Sequence, residues 1–453
     1  MARQKEKERI IVQSVKRGDE MHYNKDGWIY SGNRSNEVHL ISEEDINQLL
    51  SLSDEDDAWS ERVREEVKYK MQNPSSRGSA LILDEFRVMN TSGTIIQFPY
   101  GDRVITFNSK RHFYRGENKV FQYSLPSLNR KLIGKDERQQ ELYRAVANLR
   151  IIQFGKFIWN INVVPYWEAK LSDVNYKALA QHYGFDTHLL DLTNDFKVAL
   201  FFATCKYIPE TDSYIPLTNE IIEANDENKY GVIYHSPNWV LDYISPGGSF
   251  QWHFEHMNDN RDRPYSLDSG DLDGMAFQIG YQPLMRCHHQ SGYIFPVRNE
   301  YPLQADNRFE KLHFKQSAEL SQRVFEMMEG GKKVFPYEGI SEAKNILDQI
   351  KKATVFSEDD MMYVYNFEEV DKAMFPTIED FKNALTSMDY NREKIRVEKD
   401  EIVYPISQEV LYKINEQYDG INLLAVIGGM IHQKPEDKKY REQRCIDIYG
   451  KLI

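Results

Sequence analysis

Cysteine is scarce. Only Cys205, Cys287 and Cys445 occur in 453 residues, an odd number, set far apart and with none in a CxxC pair. That excludes a disulfide framework and suits a reducing compartment. Long apolar runs are missing too, since the longest strongly apolar stretch, residues 423–431, is too short to cross a bilayer. The N-terminus, MARQKEKERIIVQSVKRG, carries charge where a secretory leader needs an apolar core. These absences predict a cytoplasmic protein with no membrane partner. Positive charge is also in deficit, with 57 Lys and Arg against 70 Asp and Glu and a net charge of −13. A chain without a broad basic face lacks what phosphate neutralisation needs, which tells against direct nucleic-acid binding.

What is present suits a folded chain. Hydrophobic residues make up 41% and aromatics 13%, enough for burial, and the length calls for two or three folding units. The pattern predicts an α+β protein with a small β-rich N-terminal module, a central mixed core and a helical C-terminal tail. Residues 1–100 form the module: Lys25-Asp26-Gly27 and Ser31-Gly32-Asn33 put turn chemistry between short β-prone runs, and Glu43 to Gln72 reads as helical around the acidic, solvated run 53–57. Residues 73–78 read as a linker. TIIQF and RVITF flank Pro99-Tyr100-Gly101-Asp102 as strand, turn and strand. A helix from Asp136 carries Leu142, Val146, Leu149 and Ile152 on one face. Residues 172–207 read as helix, loop and helix, and 214–296 as strands and long loops. KNILDQI, IEDFKNAL and VLYKINEQY are separate amphipathic pieces near the C-terminus.

Three segments depart from core patterning. In RHFYRGE, Arg115 ends a β-prone run and Gly116 follows. An arginine there offers a rigid fork of donors for phosphate or carboxylate, and glycine lets a ligand approach the backbone. The stretch from Gln181 to Asn194 places His182, Tyr183, His188, Asp191 and Thr193 in an otherwise apolar context. Residues 286–293 bring Arg286, Cys287, His288, His289 and Gln290 into an apolar run. Each has a plainer alternative, an internal ion pair or a hydrogen-bonded loop histidine. No histidine spacing matches a zinc motif, so no metal is expected.

In this order the segments resemble the FRG domain family. Tyr114-Arg115-Gly116 matches the aromatic-Arg-Gly motif, and residues 125–130 its Pro-Ser-Leu-x-Arg segment. His182-Tyr183-Gly184 to Asp191-x-Thr193, followed by Ala199-Leu200-x-Phe202-Ala203, resembles its most diagnostic block. Gln290-x-Gly292 and Met374-Phe375-Pro376 resemble its late elements. The likeness spans residues 106–385, with insertions near 210–280 and 339–370, and leaves 386–453 as a helical region. Asp186, His188 and Leu192 depart from the family's usual proline, arginine and tryptophan.

The order of motifs is also similar, more distantly, to arginine-type ADP-ribosyltransferases. That likeness implies NAD as cofactor, held by Tyr114, Arg115, Gly116, His182, Tyr183, Asp191 and Thr193. It implies catalytic roles for Arg115, Thr193 and Gln290, and a protein acceptor for the ADP-ribosyl group. Because Gln290 is not a carboxylate, Glu117, Glu255 and Glu300 are the candidates to stabilise positive charge on the ribose. A toxin or defence effector and a non-catalytic binding module, with Arg115 paired to Asp191, are the other readings.

Overall fold

The computed structural model describes residues 38–72, 80–82, 87–90, 93–98, 101–106, 112–165, 174–237, 276–279, 282–297 and 302–416 apart from 307, 369 and 391. The turns expected at 25–33, the linker at 73–78, Glu255, Glu300 and Cys445 lie outside the described residues. Both helices and mixed sheets are present, as an α+β chain requires.

Strand β1 (Val38–Leu40) leads into the long helix α1 (Glu43–Gln72), which contains the acidic run within one continuous helix. That run is more than a wet surface, because Asp54 and Asp57 each lie 2.6 Å from Lys197 Nζ. Strands β2 (Ala80–Ile82), β3 (Arg87–Asn90), β4 (Gly93–Phe98) and β5 (Gly101–Thr106) form an antiparallel sheet, with the expected hairpin between β4 and β5. Strand β6 (His112–Glu117) carries the Tyr-Arg-Gly motif and precedes α2 (Ser127–Leu132) and α3 (Glu137–Ile158).

Helix α3 starts where the sequence marks it. Asp136 accepts from the Gln139 backbone at 2.8 Å while the Gln139 side chain reaches back to the Asp136 N–H, a reciprocal cap that satisfies two otherwise orphaned donors. Leu142, Val146, Leu149 and Ile152 enter one core, and Ile151, Phe154, Phe157 and Ile158 a second. A helix apolar on both sides is a central one.

Next come α4 (Tyr176–His182), β7 (Leu189–Thr193) and α5 (Phe196–Thr204). The segment expected as helix, loop and helix is therefore helix, strand and helix. Four of the five β7 residues are buried, and a short apolar run buried on both faces does not show the two-residue alternation that marks a half-buried strand. A hairpin of β8 (Cys205–Ile208) and β9 (Ser213–Pro216) leads to β10 (Tyr230–Pro237). Strand β11 (Phe277–Gln278), the short helix α6 (Arg286–His289), β12 (Gly292–Pro296), β13 (Glu310–Lys315) and α7 (Ala318–Met327) complete the central part.

The seven-stranded sheet has the order β1, β13, β10, β6, β7, β12, β11. β1 runs parallel to β13, and every other neighbouring pair is antiparallel. A strand from the first hundred residues thus belongs to the central sheet. One face packs Tyr114, Ile233 and Leu312 against α1, α5 and α7, and the other packs Phe113, Leu192, Val232 and Tyr293 together. Beyond lie α8 (Lys344–Lys351), α9 (Glu358–Phe367), α10 (Ile378–Ser387) and α11 (Gln408–Glu416), so all three predicted C-terminal helices form. Short strands also occur between 389 and 398, within the stretch expected to be helical.

Candidate functional site

The site begins at a break in the sheet. β6 and β7 share one pair, Tyr114 opposite Thr193, and there the ladder between them stops. Arg115, the next residue of β6, occupies the opening. Its Nη1 donates to the Asp191 carbonyl oxygen at 3.0 Å, and its Nε donates to Glu117 Oε1 at 3.1 Å. Glu117 is two residues further along the strand, which puts both side chains on one face. It is 5% exposed and also accepts from the Ser124 hydroxyl.

Two cavities meet at this opening. The smaller, about 280 Å³, is lined by Arg115, Glu117, Asn118, Asp191, Thr193 and Gln290 among others. The larger, about 600 Å³, takes in His182, Tyr183, Arg286, Phe335 and the α8 residues Lys344, Asp348 and Lys351. Asp191, Phe202, Tyr207, Tyr214 and Gln290 line both, so the two form one cleft. Its aromatic wall is a packed cluster in which Tyr214 sits 5.3 Å from Tyr207, 5.6 Å from Phe202 and 5.4 Å from Phe335, ring centre to ring centre.

The polar groups are fixed by their neighbours. His182 Nδ1 lies 3.0 Å from Gln290 Oε1, and its Nε2 lies 3.8 Å from Asp191 Oδ1. Burial holds the imidazole pKa below its ordinary value, outweighing the opposing pull of Asp191 and Gln290. Asp191 Oδ2 accepts from Gln181 Nε2 at 3.1 Å. Gly292 leaves His182 its place, since a Cβ there would come within 3.4 Å of the imidazole and 2.9 Å of Ile279. Thr193 Oγ1 accepts from the Asp195 N–H at 3.1 Å and is nearly buried. Arg286 lies over Phe335 at 3.8 Å and pairs with Asp212 at 2.8 Å and Glu338 at 3.3 Å. Burial opposes its charge, yet Tyr183, Glu338 and Asp212 raise its pKa.

The residues that the resemblance assigns to a site, Tyr114, Arg115, Gly116, His182, Tyr183, Asp191, Thr193 and Gln290, all line this cleft, whereas His188, Cys287, His288 and His289 do not. Two of those that line it also serve the scaffold. Arg115 pairs with Glu117, not with the Asp191 carboxylate, and reaches Asp191 only through its backbone. Gly116 gives its space to α5: a Cβ there would lie 1.8 Å from the Ala199 carbonyl oxygen and 2.8 Å from the Ala203 nitrogen. Helix packing by itself requires the missing side chain. The Tyr114 ring packs against Phe196 and stacks on His235, and the Tyr183 hydroxyl donates to Glu338.

Glu117 is the one of the three candidate glutamates that falls among the described residues. Tyr207 and Tyr214 are members that sequence reasoning did not place, and the β8–β9 hairpin carries both to the wall. Cys287 is buried and donates to the Leu284 carbonyl oxygen at 3.3 Å, so the cleft offers no thiol from it. Among the described residues no group of His, Cys, Asp or Glu side chains is arranged to hold a metal ion, and no helix is long and apolar enough to cross a membrane.

Residues 110–212 match the family model of the FRG domain. The chain carries an FRG domain. The match holds β6, α2, α3, α4, β7, α5 and β8, and so includes Arg115, His182, Asp191 and Thr193. Gln290, Arg286 and α8 reach the FRG domain's cleft from later in the chain. No curated protein and no solved structure matches the chain.

Proposed function

We propose that the FRG domain cleft binds NAD or a related nucleotide and that its ADP-ribosyl group is transferred to a protein acceptor or hydrolysed. The supporting observation is that Arg115, Thr193 and two carboxylates, Glu117 and Asp191, border one cavity although they come from separate strands. Distant segments that converge on a cleft are what a site requires. The aromatic wall suits a planar ring. Breaking the glycosidic bond of NAD develops positive charge on the ribose, and Asp191, at the junction of the two cavities, is the carboxylate placed to stabilise it. Such a reaction fits a cytoplasmic toxin or defence effector, and the two described cysteines, both buried free thiols, suit that compartment.

A non-catalytic module is the second reading, and one observation favours it: Arg115 is engaged internally by Glu117 and the β7 backbone. Calorimetry with NAD and chromatographic detection of nicotinamide separate the two. The enzyme reading expects saturable NAD binding, nicotinamide release in the presence of acceptor protein or water, and loss of release in Asp191→Ala. Neither binding nor release from the purified full chain would leave the binding module standing.

A further inference from the structure

The residues that border both cavities are one carboxylate, three aromatic rings and one amide: Asp191, Phe202, Tyr207, Tyr214 and Gln290. Tyr214 is inclined 51° to Tyr207 and 65° to Phe202, so the rings bound a rounded space and not the parallel slot that stacking needs. They are not sealed in the core, since Tyr207 is 37% exposed and Phe202 and Tyr214 are half-buried. The Asp191 side chain is 35% exposed, and because its Oδ1 is closed off, that exposure lies on the Oδ2 side. Among the described residues no cation pairs with this carboxylate. Arg115 takes only the Asp191 backbone oxygen, and burial keeps His182 neutral. Arg286 pairs with Asp212 and Glu338, and Lys344 and Lys351 each hold Asp348 at 2.7 Å.

A carboxylate beside aromatic rings attracts a cation, because the face of each ring is the negative part of its quadrupole. The kind of cation follows from the shortage of open acceptors. Asp191 Oδ2 already accepts from Gln181, and one end of the Gln290 amide lies against His182 Nδ1. A primary ammonium, with three N–H donors, would give up water there without full replacement. We infer that the junction is a subsite for an organic cation whose charged nitrogen bears no hydrogen, and that its occupant is the pyridinium ring of an oxidised nicotinamide nucleotide. The ribose bond takes the place of a proton on that nitrogen. The same charge makes the cleft select the oxidised form, since the reduced ring is neutral. The pyridinium assignment rests on the nucleotide reading above, and the cation subsite does not.

Calorimetry on the full chain compares 1-methylnicotinamide, which carries the charge, with nicotinamide, the same ring without it. The cation is expected to bind about tenfold or more tightly. Asp191→Asn, close in shape and uncharged, is expected to abolish that preference and Tyr207→Leu to reduce it, whereas Tyr207→Phe keeps the ring and the preference. Equal binding of the two probes, binding of neither, or a preference unchanged in both Asp191→Asn and Tyr207→Leu overturns the subsite. Tetramethylammonium and the dinucleotides then separate the sources of the cation. NAD is expected to bind about tenfold or more tightly than NADH. Equal binding of NAD and NADH, or tetramethylammonium binding more tightly than 1-methylnicotinamide, overturns the pyridinium assignment alone. Binding of 1-methylnicotinamide without any binding of NAD overturns the nucleotide reading and leaves the cation subsite standing.

Discussion

Replacing Arg115 with alanine tests whether the FRG domain's arginine braces the fold before it does anything else. The substitution removes the donor to the Asp191 carbonyl oxygen, which lies where the β6–β7 ladder has stopped, and the cation paired with Glu117. Glu117 is 5% exposed, so a charge stays behind with little access to water. Removing one partner of a buried pair costs about 3–5 kcal/mol, because the remaining charge is uncompensated. The lower end applies here, since the Arg115 side chain is itself 19% exposed and Arg130 also feels the Glu117 charge. At roughly 2–4 °C per kcal/mol for a domain of this size, a loss of about 3 kcal/mol lowers the melting temperature by roughly 6–12 °C. Thermal unfolding followed by circular dichroism reads this directly. Arg115→Ala combined with Glu117→Gln removes the stranded charge and is expected to recover part of the loss, giving a positive coupling energy in a double-mutant cycle. If Arg115→Ala melts within a degree of the wild type, the brace is not the arginine's role, and a ligand-binding role gains by default.

Two further outcomes follow from the packing and from a buried histidine. Gly116→Ala drives a methyl group into the Ala199 backbone, which cannot rotate away as a side chain would, and is expected to destabilise by about 3 kcal/mol or more in denaturant titration. Wild-type stability in that variant would contradict the seat for α5. Burial on β13 pushes the His313 pKa down to about 4, below the ordinary 6.5 or so of the unfolded chain. Between those values the unfolded chain takes up a proton that the folded one refuses, so the contribution of His313 to stability is constant above about pH 6.5 and falls as pH drops towards 4, by at most about 3 kcal/mol. His313→Gln is expected to flatten that slope without removing it, because His182 is held neutral by burial in the same way; an unchanged slope would refute the assignment.

Much of the fold was legible where a local signal decides the structure. The cap at Asp136, the hairpin between β4 and β5 and the helices at 344–351, 378–387 and 408–416 each follow from capping, turn chemistry or a 3.6-residue period. β7 was not legible, because Leu189 to Thr193 are buried on both faces and a central strand has no alternation to show. The site was legible as a set of residues but not as a set of contacts. Arg115, His182, Asp191 and Gln290 stand out because polar side chains in apolar context need a reason. Which of them touch depends on tertiary packing, and nothing local says that β6 neighbours β7 or that the end of α6 brings Gln290 to His182. The Arg115–Glu117 pair could have been found, since residues two apart on a strand share a face.

The motif that names the FRG domain therefore has its three residues committed to the scaffold. Tyr114 packs against Phe196 of α5, Arg115 bridges the gap where the β6–β7 ladder ends, and Gly116 makes room for the Ala199 backbone. Together they hold β6 and β7 joined at one residue pair and open beyond it, with α5 closed against the sheet behind. That opening is the cleft. The groups left with unspent hydrogen-bonding capacity are on the neighbours: His182 at the end of α4 and Asp191 on β7. A scaffold that is fixed by its motif and lined from other elements can keep its shape while its lining changes. Chemistry in this protein should then be sought by altering Asp191 and His182, with Arg115 and Gly116 as the controls for folding.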